Sequence, residues 1–261
     1  MGWGFEFWGA GLPPAMLAAA AGVSLLAGLV KGMVGFAMPM IMISILGSVM
    51  APDLALAALI LPTLLANLWQ ALRQGPGAAC RSLRRFRVFL IAGGILLLAS
   101  AQLVGVLPGA VLLLLLGVPM TAFALATLAG RGLRLGHATG PRTEAALGAI
   151  AGFFGGISGV WGPPTVAMLV ARDTDKAEQI RVQGVVYAMG SVLLTAAHLG
   201  SGVLSASTLP LSLAMVPPAL AGMAAGFAIQ DRIDQRVFRR ATLAVLLVAG
   251  LNLVRRGLLG L

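Results

Sequence analysis

The sequence predicts an all-α polytopic membrane protein, with two inverted repeats that each hold a broken, re-entrant helical hairpin plus three transmembrane helices. Three observations carry that prediction. Of 261 residues, 59% are hydrophobic and only 10% charged, with a mean hydropathy of +0.98, whereas about a quarter of the residues in a soluble domain are charged. A glycine pattern closing on a proline occurs once in each half of the chain. The basic residues collect in short clusters between apolar stretches, as they do where loops are held on one side of a membrane. The 35 glycines and 14 prolines fit the same class, because neighbouring groups in a helical bundle re-satisfy the backbone they free.

Taken in chain order, residues 1–10 have no basic stretch ahead of their apolar run, so no cleaved signal peptide is expected. Glu6 stands where a myristoylation box needs Ser or Thr. Residues 14–50 and 144–171 are apolar but interrupted near their middles by glycines and a proline, and each is read as a hairpin. A spanning helix needs about 20 mostly apolar residues. Three such stretches follow the first hairpin, at 54–72, 86–106 and 110–129, and three follow the second, at 182–198, 209–229 and 237–254. Residues 1–130 thus form the first repeat, 131–143 a cytoplasmic linker and 144–261 the second repeat.

Charge sets the expected orientation. Arg73, Arg81, Arg84, Arg85 and Arg87 form one cluster; Arg131, Arg134 and Arg142 a second; Arg172, Lys176 and Arg181 a third; Arg232, Arg236, Arg239 and Arg240 a fourth. All four are read as short loops. If each broken segment returns to its own side, 15 of the 18 basic residues face the cytoplasm, leaving Arg255 and Arg256 opposite and Lys31 within the membrane. If each crosses once, only ten remain inside. The hairpin topology therefore fits the rule that basic loops stay inside. An odd number of crossings per repeat also turns the second copy over, the arrangement found in many secondary transporters. The net charge of +10 is absorbed by topology, so the lipid bilayer is an expected partner and nucleic acid is not.

The internal repeat is visible in GLVKGMVGFAMP (28–39) and GFFGGISGVWGP (152–163). Gly28, Gly32, Gly35 and Pro39 match Gly152, Gly156, Gly159 and Pro163 at an offset of 124. At the same offset Thr63 meets Tyr187 and Asn67 meets Ser191, and after a four-residue shift Gly94 and Gln102 meet Gly222 and Gln230. Close helix packing explains such glycines taken singly, but not the matched closing prolines.

A helix broken inside the membrane exposes unpaired N–H groups, and a positive dipole end, at the start of its second part. Prolines at Pro39 and Pro163 suit a first turn, where no N–H is needed. Two such starts would make a positive pocket near the midplane. The candidate substrate-binding residues are therefore Lys31, Gly35, Phe36 and Pro39 in the first break, and Ser158, Gly159, Trp161 and Pro163 in the second. On the helices that follow, Asn67, Tyr187 and Ser191 join them. Lys31 is costly inside an apolar run and so is read as a cationic partner for an anion; the alternative is a lysine that snorkels to the interface. Asn67 with Thr63, and Tyr187, Ser191 and Thr195, keep i, i+4 spacing and share helical faces, where interhelical hydrogen bonding is the competing role. Trp161 is read as a pocket wall or gate, with interfacial packing as its alternative.

No catalytic residue, cofactor or metal is expected. His137 and His198 stand apart, there is no Cys, Asp or Glu cluster at ligand spacing, and no nucleotide-binding Gly-x4-Gly-Lys-Ser/Thr loop. The lone Cys80 excludes an internal disulfide. A membrane-embedded enzyme or assembly factor is disfavoured for want of buried catalytic groups; a passive anion or water channel is the main alternative to a carrier. A second copy of the chain is a candidate partner.

Together with the closing stretch PPALAGMAAGFAIQDRIDQRVFRRATLAVLLVAGLNLV (217–254), the two glycine-rich breaks resemble the TauE/SafE family of membrane transporters, also called the sulfite exporter family. The resemblance runs from about Ala18 to Arg255. It implies a permease of the bacterial inner membrane that moves small anions such as sulfite, organosulfonates or carboxylates. One departure stands out. Members often carry a run of glycines in the first break, whereas Met33, Val34, Phe36 and Ala37 surround Gly35 here, which narrows the inferred pocket.

Overall fold

In the computed structural model, residues 12–101, 109–131, 140–158, 162–200 and 202–259 are described. Among them every regular element is a helix: α1 (Pro14–Val34), α2 (Met38–Leu46), α3 (Pro52–Leu72), α4 (Pro76–Arg85), α5 (Arg87–Ala101), α6 (Gly109–Leu128), α7 (Pro141–Ser158), α8 (Gly162–Ala171), α9 (Lys176–Gly200), α10 (Leu209–Arg232) and α11 (Gln235–Leu259). Five of these, α1, α3, α9, α10 and α11, are long and apolar enough to cross a membrane.

Prolines punctuate the helix starts. Those at or near the start of α1, α2, α3 and α4 sit in first turns, where their missing N–H costs nothing. The first broken segment is asymmetric: α1 runs 21 residues before it stops and α2 only nine. At 1.5 Å per residue, α1 is about 30 Å long and α2 about 14 Å, roughly a full span and half of one. The interruption thus falls after a complete span and not at its centre.

The chain divides into two compact units, each drawing on both halves of the sequence: residues 1–73 with 184–233, and residues 74–183 with 234–261. In the first unit α1 lies along α10 on a seam of glycines. A methyl group on Gly28 would strike the carbonyl of Ala219, and one on Gly32 that of Met223; from the other side, Gly222 and Gly226 face the carbonyls of Leu25 and Leu29. Bare backbone against bare backbone gives membrane helices close contact without a hydrophobic driving force. Ser212 adds a polar tie, accepting the Leu61 N–H at 3.1 Å beside Pro62 of α3. The second unit repeats the device between α5 and α7, where Gly152 meets the Gly93 carbonyl and Gly148 meets Phe89. A third such contact joins α6 to α11 through Gly117, Gly250 and Gly257.

The basic clusters are not simple loops. Arg81, Arg84 and Arg85 ride on α4, a short amphipathic helix that buries Ala78, Ala79 and Ser82 and exposes Cys80. Lys176 and Arg181 open α9, and Arg236, Arg239 and Arg240 open α11. A helix with so few apolar positions leaves no span-like signal, so its charge alone makes it look like a loop. Exposed ion pairs trim these ends: Arg73 with Asp231, Arg85 with Glu178, and Arg239 with Asp173. The Arg181 guanidinium also donates to Gln74 Oε1.

Candidate functional site

The first break forms a buried polar cluster from α1, α2, α3 and α9. Gly35 ends α1 at a φ of 88°, and its N–H closes on the Lys31 carbonyl at 2.6 Å. That left-handed turn is natural for glycine. Two residues later Ala37 adopts a φ of 76°, a region that costs a residue with a side chain roughly 1–2 kcal/mol. Strain of this sort persists only where its surroundings enforce it, and it gathers at functional sites.

Ala37 is also the residue that caps α2, and it offers no side-chain acceptor, while Pro39 in the first turn has no N–H. Phe36, Ala37 and Met38 are all buried. The positive end of α2 is therefore enclosed, with no side-chain cap among the described residues.

Lys31 lies one turn before the break and is 1% exposed. Its Nζ donates to Asn67 Oδ1 at 2.6 Å, lies 3.5 Å from the Gly35 carbonyl oxygen, and stands 5.6 Å from the centre of the Tyr187 ring. Asn67 in turn donates its amide to the Tyr187 carbonyl at 3.1 Å. Gln70 Nε2 donates to the Gly35 carbonyl at 3.0 Å. Among the described residues no carboxylate pairs with Lys31. Neutral oxygens can orient a buried amine but cannot cancel its charge.

The cluster lies toward the carboxyl end of α3 and not at its middle. Asn67 is six residues before Arg73, about 9 Å along the axis, and Arg73 bonds Asp231 and Gln230 at that end. This position follows from the late break in α1, which carries Gly35 past the centre of the span. Lys31 nonetheless turns inward. Its contacts and burial do not fit a side chain reaching for the interface.

Of the residues singled out in the sequence, Lys31, Gly35, Asn67 and Tyr187 meet in this cluster, with Phe36 buried beside the turn and Pro39 in the first turn of α2. Ser191 is buried, but its hydroxyl turns back to the Ala188 carbonyl at 3.1 Å. Ser158 closes α7 and Pro163 is the second residue of α8, while Gly159 and Trp161 lie outside the described residues. Gln70 was missed by the sequence reading, although Thr63, Asn67 and Gln70 follow the i, i+4, i+7 spacing of one helical face. Thr63 on that face buries a hydroxyl with no hydrogen-bond partner among the described residues.

Such a cluster presents an amine and an uncapped helix start without a compensating acid among the described residues, which is chemistry suited to a small anion and not to a cation or a metal. A profile of the family described as sulfite exporter TauE/SafE matches residues 20–253, nearly the whole chain. No curated protein and no solved structure matches.

Proposed function

The chain belongs to the sulfite exporter TauE/SafE family, a family of membrane transporters, and from that premise we propose that it is a secondary transporter of a small anion, sulfite, an organosulfonate or a carboxylate, in a bacterial inner membrane. The observation that carries the reading is the buried Lys31 amine, held by Asn67 at 2.6 Å with no acid paired to it among the described residues. An anion supplies the missing charge. The enclosed start of α2 adds N–H donors two residues beyond Gly35.

Alternating access is supported by the glycine pattern that recurs along the sequence. The next long helix in each half also opens at that offset, α3 at Pro52 and α9 at Lys176. With an odd number of crossings per repeat, the second copy is inverted and the two exchange roles as the carrier rocks. Purified protein in liposomes tests the site: Lys31→Ala abolishes saturable anion uptake, and unchanged flux through a stably folded variant would remove Lys31 from the mechanism. A thermal-shift screen of sulfite, thiosulfate, organosulfonates and carboxylates identifies the substrate, because a ligand of the folded state raises its stability.

A further inference from the structure

We propose that a pocket between the end of α6 and the start of α11 holds the phosphate headgroup of an anionic phospholipid. The cavity, of about 280 Å³, is walled by Thr127, Leu128 and Gly130 on α6 and its end, and by Arg236, Arg239 and Arg240 on α11. Arg239 is paired with Asp173 at 2.6 Å. Arg236 and Arg240 are exposed, with no hydrogen bond or ion pair among the described residues.

These arginines occupy the wrong end of their helix. Cations in a first turn oppose the dipole; Arg236 stands in the first turn of α11 and Arg239 and Arg240 in the second, while Asp234 accepts the Val237 N–H at 2.8 Å. Two unpaired guanidiniums thus bring their positive charge to one cavity. Guanidinium forks match phosphate oxygens in pairs.

A lipid fits this chemistry better than free phosphate because the rim is apolar. Leu128 is both a wall of the cavity and 42% exposed, and Leu125, one turn earlier, is 50% exposed. On a membrane protein such leucines face acyl chains, and basic pockets between spanning helices are where anionic headgroups lodge.

The test is native mass spectrometry of the full-length protein from micelles containing equal phosphatidylglycerol and phosphatidylcholine. Wild type retains phosphatidylglycerol preferentially. Arg236→Gln with Arg240→Gln lowers that retention by roughly thirtyfold, as expected for two basic contacts near a membrane surface, whereas Arg255→Gln with Arg256→Gln, an equal loss of charge on the same helix, leaves it intact. If the first double variant is not monodisperse, Arg240→Gln alone gives the smaller loss. No headgroup preference in wild type, or equal losses in both double variants, overturns the proposal. Displacement of the lipid by millimolar inorganic phosphate overturns it too, reassigning the pocket to a free anion.

Discussion

The two glycine-rich stretches of this chain, residues 28–39 and 152–163, share a spacing but not a chemistry. Each unit runs one of these helices along a glycine seam, α1 on α10 and α7 on α5. The amine and the amides of the cluster do not recur. At the repeat offset, Lys31 corresponds to Gly155, Asn67 to Ser191 and Gln70 to Leu194. The difference teaches that small residues, which let helices meet backbone to backbone, are common to both stretches, while the lysine stands in one. On the proposed reading, an anion is met by one amine and not by a symmetric pair.

Introducing an acid at the paired positions probes that asymmetry most severely. Asn67→Asp puts a carboxylate beside Lys31, and the resulting internal pair competes with the substrate; anion uptake in liposomes falls as far as in Lys31→Ala while the protein stays folded. Ser191→Asp instead buries a charge with no cation bonded nearby, and thermal unfolding in detergent registers a loss of about 2–5 kcal/mol. Equal behaviour of the two variants would end the claim of a one-sided site. The glycine seams predict the reverse, a matched response. Gly28→Val and Gly152→Val each drive a side chain into a facing carbonyl and lose about 1–3 kcal/mol or more; a mild effect in one alone would show that its seam is not continuous. The smallest effect falls at the turn itself. Ala37→Gly relieves the left-handed strain at the cost of a more flexible unfolded chain, for a net gain of about 0.5–1 kcal/mol in the same unfolding measurement.

Fold class was legible because a bilayer demands long apolar runs and basic flanks, both of which are compositional. The pairing Lys31–Asn67 was half legible: each residue is conspicuous as a polar group in an apolar helix, but which groups touch depends on how α1, α3 and α9 cross. Gln70 could have been found from the spacing that links it to Thr63 and Asn67. Ser191 shows the opposite failure, since correct periodicity placed it on a polar face and its hydroxyl then satisfied itself on its own helix. The early stop of α2 and the existence of α4 escaped because short helices carry little periodic signal, and the handedness of Ala37 escaped because alanine advertises no turn.

Cys80 is the chain's one cysteine, and it sits exposed on the amphipathic α4. A maleimide fluorophore or spin probe would therefore attach at a single defined point on the unaltered protein, with no cysteine-free background to build. The proposed alternating access then becomes testable as a change in brightness or spectral line shape from that one helix.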